Sequence, residues 1–345
     1  MERQAATRRP GDRPVAATDV ARLAGVSQKT VSRVVNDDPH VSDQVRGRVQ
    51  AAIARLGYRP NRAARSLVLG RYRSIGMLTL GTMDYGPASL TVGTERAIRA
   101  AGYALLFVTT LDDDPAVINA ELEHLIGQGV DGVVINEPIG HPKLTDALRD
   151  IPVLSQSGAY GVSTREIVVE PAQQEASLAA TEYLLGLGHR TVHHVSGPPR
   201  WRVSDLRRQG WEQALVAAGA AVPPVIVGDW SARSGYDAGR VLAADPTVTA
   251  IFSANAPMSI GLMRALAQAG RRVPQDVSVT GFDDVPEAGF MTPALSTMRH
   301  DLVDIAGHGV RLLLDAIEGP APQRRTELHP VELVIRETTG PAPTA

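Results

Sequence analysis

Two groups of side chains carry the types and spacing that chemistry needs. Trp201, Trp211 and Trp230 fall within a 30-residue stretch of a chain that is only 4% aromatic. An indole face matches the apolar CH face of a sugar ring as well as it fills a core. Polar side chains also stand at the ends of short apolar runs: Asn136 after Val133-Val134-Ile135, Ser157 after Pro152-Val153-Leu154, Asn255 after Ile251-Phe252-Ser253, and Asp283 after Val279 to Phe282. If those runs are parallel strands, the four residues sit where open α/β sheets bind ligands. The second group is the set of basic residues near the start, fourteen Lys and Arg between Met1 and Arg71. Arg can donate two hydrogen bonds to guanine O6/N7.

Other chemistries are excluded. The chain has no Cys, which removes disulfides, thiolate catalysis, Cys zinc sites and iron–sulfur clusters. No phosphate-loop motif, His-Glu-x-x-His or Gly-x-Ser-x-Gly occurs, and no Gly-x-Gly-x-x-Gly opens a helix, so no catalytic residues and no cofactor are expected. His189, His193 and His194 suggest a metal cluster only by number. Two are adjacent on a strand-like run and point to opposite faces, so no metal is expected. Asp112-Asp113-Asp114 reads as a solvated loop and helix cap. There is no apolar run of about 18 residues and no apolar signal core near Met1, so the expectation is a cytoplasmic protein without a membrane partner.

The elements that position these residues follow from charge and periodicity. The 345 residues carry 35 Lys+Arg and 37 Asp+Glu, a formal charge of −2. The balance is uneven: Met1 to Arg71 carries +8 and the remainder −10, the pattern of a small polyanion-binding module on an acidic body. Within the basic part, Thr18 reads as a helix cap and Gly25 as a left-handed stop. Ser27 reads as the cap of a second helix to Val35, and Ser42 as the cap of a third that Gly57 ends. Two short helices around Gly25-Val26 with a third behind them form a helix-turn-helix, whose second helix enters the DNA major groove.

Asp19-Val-Ala-Arg-Leu-Ala-Gly-Val-Ser27, Thr30-Val-Ser-Arg-Val-Val-Asn36 and Leu56-Gly-Tyr-Arg-Pro-Asn-Arg-Ala-Ala-Arg-Ser-Leu67 together resemble the headpiece of LacI/GalR-type transcriptional regulators. The resemblance implies that Gln28, Lys29 and Arg33 read bases. Thr18, Ser27, Thr30, Ser32, Asn36 and His40 fit phosphate or groove-edge contacts, which position without specifying. It further implies that residues 62–68, capped by Asn61, fold as a hinge helix in the minor groove of operator DNA. Ala64 and Arg65 would lie against the groove, and Leu67 would be the apolar wedge.

From Ser74 onward, apolar strands alternate with helical segments, the reading for parallel sheets with helices on both faces. This part resembles the two-lobed periplasmic-binding-protein-like domain of the same family. The expected fold is therefore α/β, with two doubly wound parallel sheets behind a small all-α headpiece. The expected limits are a disordered basic tail at 1–16, the headpiece at 17–60, and a hinge and linker at 61–73. An effector-binding and dimerisation domain follows at 74–340, its N-lobe at 74–157 and 300–320 and its C-lobe at 162–298 and 325–340.

The resemblance makes Arg207, in Ser204-Asp-Leu-Arg-Arg-Gln-Gly-Trp211, the ligand clamp, since a guanidinium fork holds adjacent hydroxyls or a carboxylate. Gly228-Asp-Trp-Ser-Ala-Arg-Ser-Gly235 resembles a segment in which a sugar-responsive member stacks the Trp on the sugar, so Trp230 is the principal stacking candidate. Trp201 is the second candidate, and Trp211 belongs to the core. The sequence departs from the family pattern in three places. Ala256 and Ser157 stand where carboxylates are common, and His300 stands where Gln is common. Fewer carboxylates mean fewer strong acceptors for hydroxyls, so a saccharide other than a galactoside, or a larger one, held partly by stacking, is the expected effector. The implied function is a sequence-specific DNA-binding regulator, a repressor of carbohydrate-utilisation genes released by a sugar. The alternatives are the same fold using a co-repressor or a non-sugar effector, and a sugar-binding protein without a role on DNA. The regulator's partners would be a pseudo-palindromic operator, a small saccharide and a second copy of the chain.

Overall fold

The computed structural model describes residues 15–35, 38–58, 71–110, 114–136, 146–319 and 324–344. The expectations for Asn36, Asn61, Ala64, Arg65 and Leu67, and for the tail before residue 15, lie outside these residues. The chain divides into two compact units, Met1–Tyr72 and Arg73–Ala345.

The first unit contains α1 (Ala17–Ala24), α2 (Gln28–Val35) and α3 (Asp43–Leu56). Val20, Val31, Val34 and Val49 form its buried centre, the inward faces that helical spacing dictates. Gly25 closes α1 at φ 66°, a left-handed conformation that costs glycine nothing. Thr18 is not the cap of α1. The cap position is two residues earlier, at Ala16, whose backbone N–H donates to the Asp19 carboxylate at 3.0 Å, so Thr18 is an exposed first-turn residue.

The second unit holds two six-stranded sheets. In chain order the strands are β1 (Ser74–Leu80), β2 (Ala104–Thr110), β3 (Gly132–Asn136), β4 (Val153–Ser155), β5 (Glu166–Pro171), β6 (His193–Ser196), β7 (Ile226–Val227), β8 (Ala250–Ser253), β9 (Ser278–Phe282), β10 (Ser296–Arg299), β11 (Arg325–His329) and β12 (Glu332–Val334). The first lobe has the order β11-β5-β4-β3-β1-β2 and the second β12-β10-β9-β8-β6-β7. All pairings are parallel except that of β12 with β10. Helices α4 (Tyr85–Ala100), α5 (Pro115–Gly127) and α10 (Leu302–Glu318) serve the first lobe. The second has α6 (Gln173–Gly186), α7 (Arg202–Ala217), α8 (Ala232–Ala243) and α9 (Ala256–Gln268). Alternation along β3 shows why helices must cover both faces. Val134 faces the core shared with Ile305 and Leu313, whereas Val133 and Ile135 face the core shared with Ile118 and Leu122. No helix among the described residues is long and apolar enough to cross a membrane.

The lobe limits differ from those expected. Residues 166–171, expected in the C-lobe, form β5 of the first sheet, and residues 325–329 form β11 beside it. The buried carboxylates of Glu166 and Glu170 break the apolar run that marks an inner strand, which hid β5. Burial of Glu166 is tolerated because its carboxylate accepts from Ser155 Oγ at 2.8 Å and from the N–H groups of Tyr160 and Gly161 at 2.7 and 2.8 Å. β11 is a partly exposed edge strand, Arg-Thr-Glu-Leu-His, and so carries little apolar signal. The chain therefore passes between lobes after Pro171, between Arg299 and Leu302, and between His329 and Glu332.

In the second lobe α8 and α9 pack almost backbone to backbone. A Cβ on Gly261 would stand 1.8 Å from the carbonyl oxygen of Ala232, and one on Gly235 would stand 2.1 Å from that of Met258. Gly261→Ala should therefore destabilise this unit by about 1–3 kcal/mol. It should lower the urea midpoint with little change in slope, while Gly186→Ala, where a Cβ meets open space and φ is ordinary, should not lower it.

Candidate functional site

The surface of α2 is built by its cap and its core. Ser27 Oγ accepts the N–H of Thr30 at 3.1 Å and lies 2.9 Å from the Thr30 hydroxyl, fixing the first turn. Val31 and Val34 point inward, which leaves Gln28, Lys29, Ser32 and Arg33 together on the exposed side. Arg33 does not extend freely: its Nε donates to Asp38 Oδ2 at 2.7 Å. Asp38 also accepts the N–H of His40 at 2.9 Å, and its own carbonyl accepts from Arg46 Nη2 at 2.7 Å. The Arg33 hydrogen bond, with these others, holds the Asp38 carboxyl well below the usual range. His40 is exposed and 3.1 Å from the same carboxylate. Asp38 is the residue that sequence reasoning missed here, because it lies beyond the end of α2 and no helical spacing links it to Arg33.

In the second unit all eight residues singled out at strand ends, in the Trp-rich stretch or by resemblance line one cavity of about 660 Å³, part of it open to solvent. Asn136 and Ser157 come from the first lobe. Trp201, Arg207, Trp230, Asn255 and Asp283 come from the second, and His300 from the connection between β10 and α10. The cavity thus lies beyond the strand ends of both sheets.

Arg207 occupies its centre and is 4% exposed. Its Nε donates to Gln173 Oε1 at 2.8 Å, its Nη1 to the carbonyl of Ala254, and its Nη2 to Asp283 Oδ1 at 3.3 Å. The guanidinium also lies 3.6 Å from the centroid of the Phe282 ring. Burial pushes the Asp283 carboxyl upward, but Arg207 and His300 outweigh it and hold it below its ordinary value. His300 Nε2 approaches the same oxygen at 3.4 Å without a hydrogen bond. Asp283 and Asp284 both have positive φ, 85° and 48°, a strained turn that carries the carboxylate to the cavity.

Trp230 has φ 73° and is held by Asn255 Nδ2, which donates to its carbonyl at 2.9 Å. Its ring lies over Gly197, where any Cβ would stand 2.2 Å away, and meets Trp201 edge-on at 5.4 Å. Trp230 both lines the cavity and joins the core of the second lobe, so the two readings of it are not exclusive. Trp211 is buried in the core, with Nε1 donating to the Val192 carbonyl at 2.8 Å. His194 stacks on Trp211 and Phe252, and burial pushes it down to about 4, so it is a neutral core residue.

Three lining residues carry buried polar atoms with no hydrogen-bond partner among the described residues: Asn136 Oδ1, Trp230 Nε1 and both ring nitrogens of His300. Unmet capacity gathered in one cavity suits a polar ligand. Sequence reasoning missed Tyr85, Gln156 and Gln173, which also line it. Gln173 follows β5, so recognising that strand would have revealed it.

Residues 18–61 match the family described as bacterial regulatory proteins, lacI family, and residues 181–339 match the periplasmic binding protein-like domain. The chain is 33% identical over 320 residues to the ribose operon repressor of Escherichia coli K12, covering 91% of this chain and 96% of that one. The chain belongs to the lacI family. As a family member it is a DNA-binding transcriptional regulator. Its structure is similar to the lac repressor dimer bound to operator and the anti-inducer ONPF, with TM-score 0.85, 30% identity, and coverage of 95% of this chain and all of that one. It is also similar to the complex of the transcriptional regulator CelR with cellobiose, with TM-score 0.68, 30% identity, and coverage of 94% and 100%.

Within this lacI-family fold the Arg207–Asp283 pair sets a pH-dependent term. Because the folded carboxyl lies below its ordinary value, the pair stabilises above about pH 4, and that contribution is lost as pH falls through the lower folded value. Arg207→Met leaves the carboxylate buried and unpaired, at a cost of about 3–5 kcal/mol at neutral pH. The Asp283 carboxyl then rises, so the stability gap to the native chain should narrow as pH is lowered towards 4. Adding Asp283→Asn should recover part of the loss. Urea titrations at several pH values measure both, and a gap independent of pH would contradict the assignment.

Proposed function

We propose that this regulator is a homodimeric repressor whose interlobe cavity takes a saccharide effector and whose α2 face reads a pseudo-palindromic operator. The observation that carries the effector half is the composition of the cavity. Indole surface from Trp230 and Trp201 stands beside a buried Arg207–Asp283 pair and several unmet polar atoms. Stacking surface with a few fixed polar groups is what a sugar ring, apolar on one face and hydroxylated at its edge, requires. In this reading Asn136, Ser157 and His300 take hydroxyls from one side, and Asn255 sets the position of the Trp230 floor. The relatives support the class, since they are named for ribose and cellobiose among others.

Effector binding would alter the angle between lobes through the three connecting segments. The change would pass to the paired hinge segments and lower operator affinity. By linkage, operator must weaken effector binding by the same factor. Gln28, Lys29 and Arg33 read bases, and Thr18, Ser27, Thr30, Ser32, Asn36 and His40 contact the backbone or groove edge. Asn61, Ala64, Arg65 and Leu67 serve the minor groove.

Two experiments test the halves. A thermal-shift screen of mono- and disaccharides should find one that stabilises the native chain, by about 2.7 kcal/mol at 100 times its dissociation constant. The same sugar should fail with Trp230→Ala and should weaken operator binding. Operator affinity indifferent to every sugar that binds would contradict induction. On the DNA side, Arg33→Ala should relax preference at one base position by about 1–3 kcal/mol, read as relative affinity across operator variants. Equal losses on operator and random DNA would assign Arg33 to phosphate instead.

A further inference from the structure

Away from the cavity, α10 and the edge strand β11 bring two imidazoles and a carboxylate together. The ligating atoms of His308, Glu327 and His329 all lie within 4.8 Å of one another, and each residue is half-buried. Glu327 and His329 are two apart on a strand and so share one face. His308 reaches that face from α10, with Nε2 2.6 Å from Glu327 Oε2. The two imidazole rings meet edge-on at 5.2 Å.

We infer that His308, Glu327 and His329 form a site for a divalent transition-metal ion of the zinc class. Two imidazoles and one carboxylate make a set that zinc accepts with a water as fourth ligand, and imidazole donors select such ions over magnesium or calcium. A bound ion would displace the proton that lies between His308 Nε2 and Glu327 Oε2, 2.6 Å apart. Arg325 faces the other carboxylate oxygen, Oε1, and leaves Oε2 to the ion.

The placement gives the site a consequence. β11 is held on one side by β5, and its last residue, His329, accepts the N–H of Ala172 at 2.8 Å. Ala172 lies in the first crossing between lobes and precedes Gln173, which holds Arg207. An ion joining α10 to β11 therefore fastens the strand that anchors one connecting segment.

The test uses the full chain after chelator treatment. Titration with ZnCl2, followed by calorimetry and thermal melting, should show one ion per chain and a raised melting temperature. CoCl2 should give a visible absorption band that Zn2+ abolishes. His329→Gln and His308→Gln should each weaken Zn2+ binding by at least about 10-fold, as loss of a metal-site contact does. Arg325→Gln, which keeps all three ligands, should bind at least as tightly as the native chain. The proposal is overturned if the native chain gives neither the Co2+ band nor the Zn2+-dependent shift, or if the His329→Gln protein binds Zn2+ as tightly as the native one. The Co2+ spectrum of the native chain decides the matter even if a variant fails to fold.

Discussion

The second unit is organised around one buried cation. Arg207 gathers a side chain at the start of α6, a carbonyl just beyond β8 and a carboxylate just beyond β9. A guanidinium removed from water is stable only while these partners stay in place. The requirement accounts for the left-handed backbone of Asp283 after β9, and for the ends of three neighbouring segments converging on one spot. It also places a strong, directional hydrogen-bonding group where the two sheets face each other.

The connections between lobes lie close to this arrangement. Gln173 is two residues past Pro171, where the chain first crosses, and His300 lies in the second crossing itself. Anything that draws on Arg207, Asp283 or His300 thus acts beside the segments that join one lobe to the other. In the first unit a smaller version of the same logic operates. Asp38 orients Arg33 on the exposed side of α2, so the guanidinium is presented with part of its conformational freedom already removed.

Much of this was legible in the sequence, for physical reasons. The headpiece could be read because short helices need explicit stops, and Gly25 and Gly57 supply them. The sheets could be read because strands covered on both faces must be continuously apolar, as β3 and β8 are. The strand-end residues of the cavity followed from that rhythm. Legibility failed where tertiary partners replaced local signals. Glu166 is buried in β5 only because Ser155 and two backbone N–H groups, separated from it in sequence, satisfy its carboxylate. β11 is an edge strand and carries no apolar run. Missing both shifted the lobe boundaries and concealed Gln173. The start of α1 slipped by two residues because Asp19 reaches back to Ala16, a contact that makes a hydroxyl cap at Thr18 unnecessary.

The interleaved lobes also set an order of events during synthesis. The sheet of the first lobe lacks its edge until residues 325–329 pair with residues 167–171, and the second gains β12 only afterwards. The first lobe therefore cannot be finished until nearly all of the second has been made, and the second is completed last. The β5 edge stays unpaired through translation of the whole intervening lobe. Such long-range closure is slow and leaves a strand open to wrong partners in the interval. For this chain, yield in the cell should depend on how that edge is protected during synthesis as much as on the stability of the finished fold.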